Sequence, residues 1–291
     1  MLVATTGGVF DLDGAIVLPE WAVTHVARHA GSWWAVGEAG VVRDGDVVAA
    51  APDWVTLNCV LPTEHTVWVG ADSARLLRLE DGSLVEDELF SRAPGRDKWH
   101  TPWGGPPDVR SMTEAADGTV FVNVHVGGIL RFDNTGFTPT IDISADVHQV
   151  AAHPEIPDLV VAATAHGLAV TANGHDFDFR TDGLTHRYCR AVALDGDTVL
   201  VSSSAGPRGG DARLHRGDVA GGPLEVCSGL PAFDGNIDTH CVATRPGLWL
   251  VGHGSEVWAS TDRGDTWEVA LDGLPTITSV GRTRILADPP P

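Results

Sequence analysis

The sequence predicts an all-β protein, a seven-bladed β-propeller of four-stranded antiparallel blades, and three observations lead there. Residues 236–273 read as four short strands, at 237–244, 248–252, 256–260 and 266–271, divided by turns such as Arg245-Pro246-Gly247 and Asp272-Gly273. That is one antiparallel meander of about 40 residues, the period of a propeller blade. Imperfect copies of this unit fill the rest of the chain, while 34 Gly and 18 Pro supply turns and no long helical period occurs.

The N-terminus offers only three strands, 2–6, 8–12 and 15–18, and lacks an innermost one. At the other end, 277–286 is a lone strand after the last full unit. Its pairing with the first blade would close the ring and remove both open edges. Between these ends, blades are expected at 22–51, 54–90, 109–141, 147–181, 186–230 and 236–273, so that 1–291 forms a single domain with about 42 residues per blade. Residues 91–107 fall outside the repeat. A loop of that length carrying Trp99, His100 and Trp103 is expected to serve the site, as a cover over the channel mouth.

Composition narrows the function. Thirty-nine acidic against 19 basic residues give a formal charge of −20, which argues against nucleic acid and anionic membrane as partners. The first residues show neither a basic nor an apolar signal region and no apolar run is long enough to span a bilayer, so a cytoplasmic location is expected. Cys59, Cys189, Cys227 and Cys241 have no C-x-x-C spacing, and the parity of Cys59, Cys189 and Cys241 turns them away from the channel as small core residues. Trp34, Trp68, Trp249, Trp258 and Trp267 fall in second to fourth strands, where packing between blades accounts for them.

The turn Ser260-Thr261-Asp262-Arg263-Gly264-Asp265-Thr266-Trp267 resembles the Asp-box, S-x-D-x-G-x-T-W, of BNR-repeat (sialidase-like) propellers. Residues 171–177 and 132–137 are degraded copies. The resemblance implies a structural turn: Ser260 and Asp262 accept backbone amides, Gly264 takes a positive φ and Trp267 packs between blades. A sialidase-like glycosidase would need an arginine triad and a tyrosine assisted by a glutamate. Tyr188 is the only tyrosine, and Arg110 and Arg190 are the only arginines expected on the rim. The chain also resembles photosystem-assembly propellers in size and repeat type, which implies a non-catalytic scaffold as one alternative.

The histidines point to a site. In a four-stranded blade, the starts of innermost strands and the ends of second strands open on one face of the ring. His148, His186 and His240 are expected at the former, His125, His166 and His253 at the latter, with His100 on the long loop. His25, His29, His65, His153, His175 and His215 read as surface or packing residues. Asp108-Val109-Arg110, Asp146-Val147-His148 and Asp238-Thr239-His240 repeat an acid-x-base motif whose two members, roughly 6.5 Å apart on one face of a strand, should look into the channel. The equivalent face carries His186, Tyr188 and Arg190 in one blade and Asn58 in another.

Imidazoles converging from several blades suit a divalent metal ion. The expected ligands are His125, His148 and His240, with His186 as fourth ligand or general base, and Asp146, Asp238 and Tyr188 beside them as catalytic groups. Arg110 and Arg190 would hold an anionic group of a small-molecule substrate, with Trp99, His100, Trp103, Asn58, His166 and His253 completing its surroundings. The reading is a metal-dependent hydrolase or lyase; the alternative is a propeller that binds an anionic ligand without chemistry, or an assembly scaffold.

Overall fold

A computed structural model of the protein describes residues 1–102 and 104–281. Seven four-stranded antiparallel sheets are arranged in order along the chain. Blade 1 is composite: Ile277–Gly281 pairs with Leu2–Thr5, followed by Gly8–Asp11 and Ile16–Pro19. The expected closure is therefore present, and 282–286 of the expected strand lie outside the described residues. Innermost strands of blades 2 to 7 are Val23–His29, Leu57–Pro62, Val109–Glu114, Val147–Ala152, Val192–Asp195 and Val242–Arg245. No helix among the described residues is long and apolar enough to cross a membrane.

Apolar layers between neighbouring blades hold the ring together. Leu2, Ala4 and Val9 of blade 1 pack on Val23, Val26 and Ala35 of blade 2, all buried. Trp34, Trp68 and Trp249 are buried in such layers, with Trp258 and Trp267 partly covered against the same core. Each of the four cysteines is buried and free, and burial pushes the Cys59, Cys189 and Cys227 thiols up to about 12. Blades 3 and 4 approach so closely that a Cβ on Gly70 would lie 2.5 Å from Val109 Cγ1 and 2.6 Å from Cys59 Sγ.

The outer turns explain the repeated polar signature. Asp262 Oδ1 accepts the amides of Asp265 at 3.1 Å and Thr266 at 2.9 Å, and Ser260 Oγ accepts that of Gly264 at 2.8 Å. Gly264 has φ of 90°, and a Cβ there would meet Trp249 at 2.7 Å. Asn173 and Asp133 close the corresponding turns of blades 5 and 4 through the amides of Asp176 and Thr135. By strand order, these turns lie on the ring face opposite the starts of the innermost strands.

Trp99, expected in a cover over the channel mouth, is a core residue instead. Asp87 caps a short helix, Glu88–Ser91, by accepting the Phe90 amide at 2.7 Å, and a 3-10 turn follows at Arg96–Lys98. Trp99 is buried, 5.6 Å from the Phe90 ring and with the Arg96 guanidinium 5.2 Å from its own ring, so it anchors the loop in the core between blades 3 and 4. His100 is exposed and held by the Lys98 carbonyl at 2.8 Å. Trp103 lies outside the described residues.

One irregularity sets up the channel. Near the start of the innermost strand in blades 1 to 5, one residue drops out of register: Thr278, Thr24, Asn58, Arg110 and His148. The pairing of Ala191 with Ser202 and of Cys241 with Gly252 puts Arg190 and His240 at the same position in blades 6 and 7. Such a bulge re-aims a side chain and kinks the strand. Thus one residue per blade is turned toward the axis, and the acid two positions earlier follows no regular pleat; Asp146 takes φ of 48° and His240 φ of 66°.

Candidate metal centre at the channel mouth

Four of the seven bulged residues perform one structural task. Thr278 donates to the Val23 carbonyl at 2.5 Å, Thr24 to that of Leu57 at 2.8 Å, Asn58 to that of Val109 at 3.4 Å, and His148 Nδ1 to that of Cys189 at 2.6 Å. Each bond ties a blade to the next. Arg110, Arg190 and His240 depart from this rule, and the departures define the site.

His148 sits at the centre. Its Nδ1–H is committed to the Cys189 carbonyl, which leaves the Nε2 lone pair facing the channel, the arrangement that orients a metal-binding imidazole. Nε2 lies 3.7 Å from Asp146 Oδ1 and 3.1 Å from the Tyr188 hydroxyl. His125, just past the second strand of blade 4, brings its Nε2 to 3.0 Å from the same Asp146 oxygen. Ligand atoms of His125, Asp146 and His148 fall within 4.8 Å of one another, and this is the group able to hold a metal ion among the described residues. Asp146 Oδ1 is buried yet accepts no well-aligned hydrogen bond among them.

Electrostatics keeps these groups in ligand form. Burial is the main cause that lowers His148 to about 4, so the ring is neutral at pH 7. Desolvation pushes the Asp146 carboxyl up, but contact with His125 and the pull of His148, His125 and Arg110 outweigh it, and the carboxyl ends below its ordinary value.

The two arginines behave differently. Arg190 forms an ion pair with Asp238 and lies 5.8 Å from the Tyr188 ring centroid. Asp238 is therefore engaged by Arg190 and does not orient His240. Arg110 is half-buried, and its guanidinium has neither hydrogen bond nor ion pair among the described residues; burial, then the nearby Arg190, lower its pKa. A desolvated cation that feels Asp108 and Asp146 only at a distance, with no carboxylate in contact among the described residues, is a ready anion site.

Several expected members lie elsewhere. His240 donates from Nε2 to the Arg110 carbonyl at 3.0 Å and is not among the metal-capable atoms. His186 pairs with Asp211 at 3.0 Å, while Arg213 holds the other oxygen of that carboxylate at 2.9 Å. His166 contacts the Ser144 carbonyl at 3.2 Å, and His253 stacks on Phe233 at 4.4 Å. Asn58 serves the blade-to-blade bond described above.

His25, expected as a packing residue, lines the channel instead. It follows the bulge in blade 2, and its Nδ1 accepts the Val60 amide of blade 3 at 3.1 Å, as Ser111 and Gln149 accept the Val150 and Val192 amides at 3.0 and 3.3 Å. Its ring packs on His240 at 4.0 Å. The valine one position further along two of these strands, Val26 after His25 and Val150 after Gln149, was the available signal in the sequence.

Fold and site together define a seven-bladed β-propeller with a histidine–aspartate cluster at one mouth of its channel. No protein-family model matches the sequence, and no curated protein matches it either. Among solved structures, the chain is similar to virginiamycin B lyase from Staphylococcus aureus, with TM-score 0.59 and 10% identity over 85% of this chain and 83% of that one. It is similar to YCF48 from Cyanidioschyzon merolae, with TM-score 0.59 and 14% identity over 87% and 86% of the two chains. An ancestral GH74 enzyme aligns with TM-score 0.59 and 12% identity over 92% of this chain, which spans 39% of that protein's length. Identities this low establish the propeller fold alone.

Proposed function

We propose that the protein is a small-molecule enzyme of hydrolase or lyase type, with a divalent metal ion held by His125, Asp146 and His148 and an anionic group of the substrate held by Arg110. The observation that carries this reading is the buried Asp146 oxygen, which accepts no aligned hydrogen bond and is faced by two imidazole nitrogens at 3.0 and 3.7 Å, beside an unpaired guanidinium. Two nitrogens and one carboxylate oxygen form a donor set suited to zinc or a similar ion. When bound, such an ion polarises an oxygen or activates water.

The chain's own residues supply the rest. The Cys189 carbonyl fixes the tautomer of His148, and the Tyr188 hydroxyl, 3.1 Å from His148 Nε2, is placed to carry a proton at its oxygen. Arg110 binds and orients the substrate anion, while Arg190, neutralised by Asp238, shapes the wall beside Tyr188. Tyr188 and Arg110 keep the roles of proton carrier and anion clamp, and Asp146, expected as a catalytic group, takes the ligand place expected of His240; His186, tied to Asp211, and His240, tied to the Arg110 carbonyl, are given none in the chemistry. A lyase and a GH74 enzyme among the similar folds support catalysis on such a ring. The three Asx-closed turns support placing the repeats with the Asp-box type.

Elemental analysis of protein purified without a histidine tag tests the reading. About one equivalent of divalent metal is expected, lost in Asp146→Ala and His148→Ala and retained in His186→Ala. Full metal content in both of the first two variants would overturn it. The free Arg110 also favours a second reading, an anion-binding propeller without chemistry. That reading expects inorganic phosphate or acetate to bind equally well before and after chelation.

A further inference from the structure

The channel holds a second compartment. His25 and His240, with Gln149 donating no ring but accepting the His240 amide at 2.9 Å, form a partition across it. On the side toward the ends of the innermost strands, opposite the histidine–aspartate cluster, lies a cavity of about 210 Å³. Its walls are largely aliphatic, from residues such as Met112, Ala152 and Leu194, with Arg28, His29 and Glu114 also lining it, and the His25–His240 pair forms its floor.

The hydrogen bonds around that pair fix both tautomers. His25 Nδ1 accepts the Val60 amide, so the proton of the neutral ring is on Nε2. His240 Nε2 faces a carbonyl oxygen and must donate to it, so the lone pair is on Nδ1. Neither His25 Nε2 nor His240 Nδ1 has a hydrogen-bond partner among the described residues. The floor thus presents one N–H donor and one lone-pair acceptor side by side, on rings tilted by 38° whose centroids are 4.0 Å apart.

We propose that this cavity is a second ligand site, for an uncharged planar molecule that carries an adjacent N–H and C=O, as in a lactam or a pyridone-like heterocycle. The C=O accepts from His25 Nε2–H and the N–H donates to His240 Nδ1. Burial lowers His25 well below its ordinary value and His240 to about 4, so both rings are neutral and the pair itself offers no charge to a ligand, while the charges on the walls, Arg28 and Glu114, are of opposite sign. The cavity volume and aliphatic walls suit one small ring. This site is independent of the metal reading, although the His240 bond to the Arg110 carbonyl connects the two compartments.

The probe is 2-pyridone, compared with N-methyl-2-pyridone, which keeps the ring and carbonyl but lacks the donor. Ligand-observed NMR titration of the unmodified protein should show saturable 2-pyridone binding and affinity for the methylated ring lower by about tenfold or more, because a polar group would be left unpaired. Binding should persist in Asp146→Ala and disappear in Ala152→Trp, which fills the cavity from its wall. His25→Phe should also lose it, but His25 holds the Val60 amide and that variant can fail to fold; the comparison of the two probes does not depend on it. Equal affinity for both probes, no saturable binding of 2-pyridone, or loss of binding in Asp146→Ala would each overturn the proposal.

Discussion

Deleting residues 276–291 removes the innermost strand of blade 1 and should collapse the ring. The structure gives the size of the loss. Ile277 and Val280 are 7% and 4% exposed, and burying two such side chains contributes about 3–6 kcal/mol. Thr278 donates to the Val23 carbonyl and Ser279 Oγ accepts the Val26 amide, side-chain bonds from blade 1 to blade 2 worth about 1 kcal/mol each. Backbone bonds also run from Ile277 to Gly254 and from Val280 to His240, so the strand ties blade 7 to blade 1 as well. The total, about 5–8 kcal/mol, is comparable with the whole stability of a typical domain, about 5–15 kcal/mol. Exposed edges on Leu2–Thr5 and on blade 7 would then invite aggregation. Soluble yield and thermal melting of the truncated chain are the assay. A soluble variant with the melting temperature of the parent would refute the closure argument.

Arg110→Gln should leave the melting temperature unchanged, since its guanidinium has no partner to lose, and weaken binding of an anionic ligand by about 10-fold or more in isothermal titration; Arg190→Gln, which strands Asp238, should lower melting instead. Asp262→Ala should lower the melting temperature without affecting metal content or anion binding, because the turn lies on the other face of the ring. Turn hydrogen bonds, that from Thr266 first, hold the Asp262 carboxyl down at about 2, so its contribution is present above about pH 4 and fades as pH falls toward 2. His215 and His240 are lowered to about 4, mainly by burial, against about 6.5 in the unfolded chain. Between these values the unfolded chain binds more protons, so stability is full above about pH 6.5 and is lost toward pH 4, by about 3 kcal/mol for each ring. Urea unfolding at pH 7.5, 6 and 5 checks this, and a flat profile would count against the neutral burial of both histidines.

The sequence by itself determined the ring. A unit near 40 residues, punctuated by Gly, Pro and Asx turns, can bury its apolar faces only against copies of itself, and three strands at one end with a lone strand at the other make up one blade by closing the ring. The Asp262 turn was legible for the same reason, since its hydrogen bonds are local and join residues within four positions of one another. That Arg110, His148 and His240 occupy one strand position was also readable from the repeat. Only the tertiary structure decided which of these side chains meet. The bulges break the two-residue pleat at the point where the site begins, so Asp146 and Asp238, alike in sequence, diverge: one turns between His125 and His148, the other to Arg190. Trp99 was drawn into the core by Phe90 and Arg96, which lie within ten residues of it but only fold around it through blade 3. His25 was legible as a residue to pack and not as a channel group, because its partners, the Val60 amide and the His240 ring, are 35 and 215 residues away, and only closing the ring brings blades 2 and 7 together.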